Sequence, residues 1–253
     1  MKLAQSILAI VMLIAILPLD TAWSMTADEI IAAGFEYFRG KASRATIEMV
    51  IHRPTWERRM QMEGWTKGTD HSLIRITAPA KDRGNATLKK GRHMWTYNPK
   101  VNRVIKLPPS LMAQAWMGSD FSNNDLAKSD SIINDYVHTL RGTETHAGHT
   151  VYVIKSIPKP EAPVIWGMQV TKIRDDWVML SQELFDEDLL PVKLMTASEI
   201  QLLGDRMFPK QWKMAETDQP DQYTLLIYHE LAFLDDLPDS TFTINRLKSP
   251  TRR

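Results

Sequence analysis

The sequence predicts a mainly β protein, an antiparallel sandwich or barrel, with a single amphipathic helix ahead of the strands. Two observations carry this expectation. Short runs of alternating apolar and polar residues recur from Ala45 to Leu231, with turn residues between them, a spacing that suits antiparallel strands better than βαβ units. Ahead of them, Thr26-x-x-Glu29 forms a capping box, followed by Ile30, Ile31, Phe35 and Phe38 at roughly helical spacing.

The first 24 residues read as an export signal rather than as part of the fold. Lys2 supplies a basic start, Ile7 to Leu17 is almost wholly apolar, and Pro18 breaks the run. Ala22-Trp23-Ser24 then places small residues for cleavage after Ser24. The apolar run is shorter than the roughly 20 residues a membrane-spanning helix needs. Residues 25–253 are therefore expected to be one domain, soluble in the periplasm. Cys is absent, so the exported chain has neither disulfides nor a cysteine to carry a bacterial lipid anchor.

The helix is expected over Ala27 to Arg39, stopped by Gly40. Strands are expected at Ala45–His52, Arg58–Thr66, Ser72–Thr77, Thr87–Leu88, Met94–Tyr97 and Val104–Leu107. Turn signals at Lys90-Gly91 and Asn98-Pro99 separate the shorter pieces. The pattern resumes with Asp135–Gly142, Thr150–Ile157, Met168–Arg174, Trp177–Phe185, Leu190–Thr196, Met207–Met214 and Tyr223–Leu231.

Between these two sets the β rhythm breaks. Pro108-Pro109 ends a strand, and Ser110 can cap a short helix from Leu111 to Met117. Gly118 stands where a helix end favours a left-handed residue, and Ser119-Asp120 can bond their side chains to the turn. Ser122-x-x-Asp125 is a second capping box, opening a helix through Lys128. Leu111, Met112, Ala115, Trp116, Met117 and Phe121 are too many apolar groups for a solvent loop, so they must lie on an apolar surface. Two short helices hinged at Gly118, Ser119 and Asp120 result.

Composition and motifs narrow the function. Lys and Arg (31) nearly balance Asp and Glu (30), a net charge of +1 that argues against a nucleic-acid partner. Soft apolar content is high, with 14 Met and 8 Trp. There is no Gly-x-Ser-x-Gly elbow, His-Glu-x-x-His pair or phosphate-binding glycine loop. His146-x-x-His149 has a conceivable metal spacing but reads as a surface turn without an acidic third ligand. The paired acids Asp175-Asp176, Asp186-Glu187-Asp188 and Asp235-Asp236 read as solvated turns. Asp120 is read as capping its own turn rather than as a general base, and no catalytic, metal or cofactor site is expected.

The span from Ala78 to Leu126 resembles the LolA-like outer-membrane lipoprotein-sorting proteins, relatives of the carrier LolA and the receptor LolB. The motif residues are Pro79, Ala80 and Gly84; then Trp95, Tyr97 and Pro99; then Met117 to Phe121 with Asp125-Leu126. Asn85 stands where the family more often has a small hydroxyl residue, and Pro238 to Thr243 resembles the family's end. The resemblance implies an unclosed antiparallel β-barrel, a half-barrel with helices across an apolar cavity. It further implies cargo with acyl chains, from a lipoprotein or an envelope lipid, and a transporter of the RND superfamily as a partner. On this reading Trp95, Tyr97, Leu111, Met112, Trp116, Met117 and Phe121 line the cavity or its lid, Gly118 to Asp120 are the hinge, and the carrier is a monomer. Two alternatives stay open: Trp116 and Phe121 plug a permanently closed core, or the chain is an adaptor of an envelope transporter that never carries lipid.

Overall fold

A computed structural model describes residues 25–249; the segment read as an export signal lies outside them. Helix α1, Ala27–Arg39, opens on the expected capping box. The Thr26 amide donates to Glu29 Oε2 at 2.7 Å, and the Glu29 amide donates back to Thr26 Oγ1 at 3.2 Å. It ends where Gly40 takes a φ of 62°, a conformation that favours glycine. Its buried face carries Ile30, Ile31, Gly34 and Phe35.

Thirteen strands then form one antiparallel sheet. The first set is β1 (Ala42–Arg53), β2 (Trp56–Lys67), β3 (His71–Ala78), β4 (Ala86–Lys90), β5 (His93–Asn98) and β6 (Arg103–Lys106). The second is β7 (Tyr136–His146), β8 (His149–Pro158), β9 (Met168–Arg174), β10 (Met179–Phe185), β11 (Pro191–Leu203), β12 (Arg206–Glu216) and β13 (Tyr223–Leu234). Every expected strand segment overlaps one of these. The expected start at Trp177 moves to Met179 because Trp177 takes a φ of 70° in the preceding turn.

Each set is a meander, and the two join where β1 pairs with β13, from Ala42 opposite Leu234 to His52 opposite Tyr223. The outermost strands, β6 and β7, are not neighbours in the sheet. The barrel is therefore open, as the family resemblance implied.

The segment joining β6 to β7 crosses that opening. It holds α2 (Pro109–Met112), a 3-10 turn (Trp116–Gly118), α3 (Asn123–Ala127) and α4 (Ser131–Asp135). The expected helix from Leu111 to Met117 is shorter than its apolar pattern suggested. The Trp116 amide donates to the Phe121 carbonyl at 2.7 Å, and Ala115 bridges Ser122, so this stretch folds as a tight loop instead. Met117 and Gly118 both take positive φ, 55° and 78°. The second capping box holds as expected, with Ser122 and Asp125 bonding reciprocally across α3.

Strand alternation sorts the side chains into two faces. On the concave face, α1 packs over Ile154, Ile173, Met179 and Trp212. Gly34 lets it come close, since a Cβ there would lie 2.8 Å from Ile173 Cδ1. Met49, Ile51, Met60, Met62 and Ile76 form a second concave cluster with Trp116. The convex face of β2 to β5 carries Trp65, Leu73 and Leu88 beneath Phe242 and Leu247, from the 3-10 turn Asp239–Phe242 and helix α5 (Ile244–Lys248). Among the described residues no helix is long and apolar enough to cross a membrane.

Candidate functional site

A cavity of about 290 Å³ lies between the concave face, α1 and the crossing segment. Its wall is mostly apolar. Phe35 and Phe38 come from α1, Ile47, Met62 and Ile74 from β1 to β3, and Trp212, Met214 and Leu226 from β12 and β13. The loop between β8 and β9 adds Ile165 and Trp166, so the cover has two parts rather than one. Tyr136, at the start of β7, donates its hydroxyl to the Trp166 carbonyl at 3.0 Å and holds that second part in place. Burial pushes the Tyr136 hydroxyl up to about 12, so it stays a donor at neutral pH.

The expected cavity and lid residues separate into three groups. Trp116 and Phe121 do line the cavity, buried to 4% and 9% exposure. Met117 packs on the adjoining concave cluster, while Leu111 and Met112, half-buried in α2, stay outside the lining. Trp95 and Tyr97 lie on the other side of the sheet. Register places Trp95 opposite Leu88, and both rings pack with the cluster under Phe242 and Leu247. Their alternation along β5 gives them a common face, and the carboxy-terminal segment makes that face the convex one.

The expected hinge is a fastened turn. Ser119 Oγ donates to the Trp116 carbonyl at 2.6 Å and accepts from the Phe121 amide at 3.3 Å, the local bonding its position suggested. Asp120 does something else. Its carboxylate meets Arg53, at the end of β1, through Oδ1 to Nη2 at 3.0 Å and Oδ2 to Nη1 at 3.1 Å. Thr224 Oγ1, on β13, donates to the same carboxylate at 2.6 Å and accepts from the Asp120 amide at 3.0 Å. Lys193, on β11, donates to the Asp120 carbonyl at 2.7 Å and to Asp125 Oδ2 at 3.0 Å. Asp120 thus ties the turn to three strands rather than capping only itself.

Trp116 has a polar tether as well. Its indole Nε1 donates to Thr87 Oγ1 on β4 at 3.0 Å, so a bulky ring is oriented inside an apolar cluster without an orphaned donor. Gly118 stands clear of neighbours, with nothing within 4 Å of where a Cβ would sit.

The His146–His149 turn is the hairpin between β7 and β8. An acidic neighbour does reach it, from the β9–β10 turn: His149 Nδ1 lies 2.6 Å from Asp175 Oδ1, and Asp176 completes a cluster. Both carboxylates are engaged, Asp175 with the Thr150 amide as well and Asp176 with Arg174 through two hydrogen bonds. None of the residues of this hydrogen-bonded cluster lines the cavity.

Solved structures share this open antiparallel fold, a LolA superfamily protein among them. A LolA superfamily protein from Nitrosomonas europaea matches with a TM-score of 0.73 at 22% identity, over 88% of this chain and 100% of that one. A domain provisionally named an outer membrane lipoprotein-sorting protein, from Vibrio parahaemolyticus, matches at 0.73 and 21%, over 88% and 98%. A DUF1329 family protein from Desulfovibrio piger matches at 0.76 and 22%, over 88% and 100%. A family model described as "-like: Uncharacterized protein" matches residues 68–249, and the chain belongs to that family. None of the curated proteins compared with it matches.

Proposed function

We propose that this protein is a periplasmic carrier that shields acyl chains of a lipoprotein or envelope lipid and moves them toward the outer membrane. The observation that supports it is the cavity, walled by apolar side chains of the concave face and covered by two separate segments. Burial supplies the driving force, at about 0.8 kcal/mol for each methylene removed from water. A dozen methylenes would contribute on the order of 10 kcal/mol, less the cost of moving the cover. Trp116 and Phe121, with Leu126 and Ile132 of the same segment and Ile165 and Trp166 of the second, are the cover's apolar contacts with the cavity, and cargo enters by displacing them. Cleavage after Ser24 releases the mature monomer, and an RND-superfamily transporter is the partner with which it exchanges cargo. The provisional name of the Vibrio parahaemolyticus domain, lipoprotein sorting, agrees with this reading.

Native mass spectrometry of the protein released from the periplasm tests it. Co-purifying lipid or acylated peptide is expected, and its loss on treatment with detergent should leave folded protein. Protein that is free of lipid in every preparation, and that takes up none when mixed with vesicles, would instead mark a transporter adaptor whose cavity its own side chains fill.

A further inference from the structure

Among the described residues, two cations of the cavity lining, Arg39 and Lys128, stand outside any salt bridge. Three charged side chains contribute to its lining: Arg39, Asp125 and Lys128. Asp125 is paired with Lys193, and Lys128 gives its ammonium to the Pro163 carbonyl at 2.8 Å. Among the described residues Arg39, in the last turn of α1, makes a single side-chain hydrogen bond, from Nη2 to the Ser129 hydroxyl of the crossing segment. Its Nε is sealed from water without a partner.

The acid whose charge bears most on Arg39 is Asp130, and that carboxylate is already bonded to Lys89, whose side chain is 2% exposed. The buried Lys89 and the half-buried Arg39 therefore share one carboxylate. Burial lowers the pKa of Arg39 from its ordinary value, yet a guanidinium remains protonated at physiological pH. A second unpartnered donor, Trp212 Nε1, belongs to the same wall, with its ring edge-on to Phe38 at 5.4 Å. Donors without acceptors in the protein, inside an apolar cavity, are open to an oxygen acceptor from outside the chain, and the guanidinium favours an anionic one.

We propose that Arg39 is a head-group site: the cavity takes an amphiphile whose acyl chain carries a carboxylate or phosphate, and Arg39 binds that anion. The proposal rests on the carrier reading and gives it a substrate class. A guanidinium offers a planar fork that matches either anion, and Ser129 is the contact the head group replaces. The balanced charge of the whole chain does not bear on this, because a buried pair is screened little by salt.

Displacement of a bound fluorescent fatty acid from the purified protein tests it, with ligands of equal chain length and different heads. Hexadecanoate and hexadecyl phosphate should bind at least about tenfold more tightly than hexadecanol. Arg39→Gln should bring both down to the hexadecanol level while leaving hexadecanol unchanged. Arg39→Lys, which keeps the charge but not the fork, should retain part of the preference. Inorganic phosphate alone should displace nothing; displacement by it would overturn the assignment to a lipid head group. Equal binding of the acid and the alcohol by the wild-type protein overturns the proposal alone, even if the variants do not fold. So does an Arg39→Gln variant that weakens all ligands equally, since Arg39 would then only brace the cover. Failure of every long-chain ligand to bind overturns the carrier reading with it.

Discussion

Asp120 and Arg53 form a two-point ion pair that fastens the turn over the cavity to the end of β1, with nitrogen–oxygen distances of 3.0 and 3.1 Å. Both side chains are largely shielded, at 7% and 16% exposure. Thr224 and Lys193 complete the attachment, so the cover is held by polar contacts at its middle and by apolar contacts at Trp116 and Phe121.

Removing one partner of such a pair leaves the other buried and uncompensated. Asp120→Ala is therefore expected to cost about 3–5 kcal/mol of folding stability. Urea unfolding measures it, and a loss below about 1 kcal/mol would mean that water or a neighbour readily takes the place of the carboxylate.

Trp116 separates packing from polarity. Trp116→Phe keeps most of the ring volume but loses the indole bond to Thr87 Oγ1, and should cost about 1 kcal/mol. Trp116→Glu would place a carboxylate among Met49, Ile51, Met60 and Met62, at a cost of several kcal/mol unless it protonates. Gly118→Val meets no neighbour and should cost only its backbone strain, about 1–2 kcal/mol. Thermal melts should place Trp116→Phe highest, Gly118→Val next and Trp116→Glu lowest.

Much of the sheet was legible because burial on one face imposes a period of two. Met60 and Met62 in β2 are buried, while Arg59 before them and Gln61 between them are exposed. The period fixes which residues share a face, but not which face becomes the concave one. Trp95 and Tyr97 illustrate this, since their face is decided by Phe242 and Leu247, far along the chain. The apolar spacing of Leu111, Ala115 and Trp116 fitted a longer helix, and the bond from Trp116 to Phe121 prevails over that local preference.

The attachment of Asp120 had no local signature. Arg53, Lys193 and Thr224 belong to three strands that only the sheet order brings to one place. Ile165 and Trp166 left a fainter trace, as apolar residues in a proline-containing loop that would otherwise face water. Net charge, a sum over the whole chain, could not reveal where Arg39 sits.

His138 should make stability depend on pH. It is buried beside Ser156, with Nδ1 2.8 Å from Oγ, and burial holds its pKa below the ordinary histidine value despite Asp28 at 4.0 Å. The folded protein thus keeps His138 neutral, while the unfolded chain takes up a proton near pH 6.5. Stability from this group is complete above that pH and declines as pH falls through the interval down to the folded pKa. Urea unfolding at pH 7 and pH 5 should show a loss on acidification that is smaller in His138→Gln. An identical loss in both proteins would assign the effect to other groups.

Gly64 offers the most direct test of whether chains occupy the cavity. It lies on β2, opposite Ala45 on β1 and Ile74 on β3, and all three line the cavity. A Cβ at Gly64 would meet nothing within 4 Å, although the residue is buried. Gly64→Leu should therefore project a side chain into empty space without displacing any strand. Replacing a strand glycine removes an entropic cost of roughly 0.5–1 kcal/mol, and the new side chain gains apolar contacts. The melting temperature should be unchanged or raised, while the space left for an acyl chain shrinks. In the wild-type protein, affinity should increase roughly fourfold per added methylene until the chain fills the cavity. In Gly64→Leu that rise should stop at a shorter chain, and hexadecanoate should bind more weakly than to the wild type. A variant that is fully stable yet binds every chain length as the wild type does would show that acyl chains are held elsewhere.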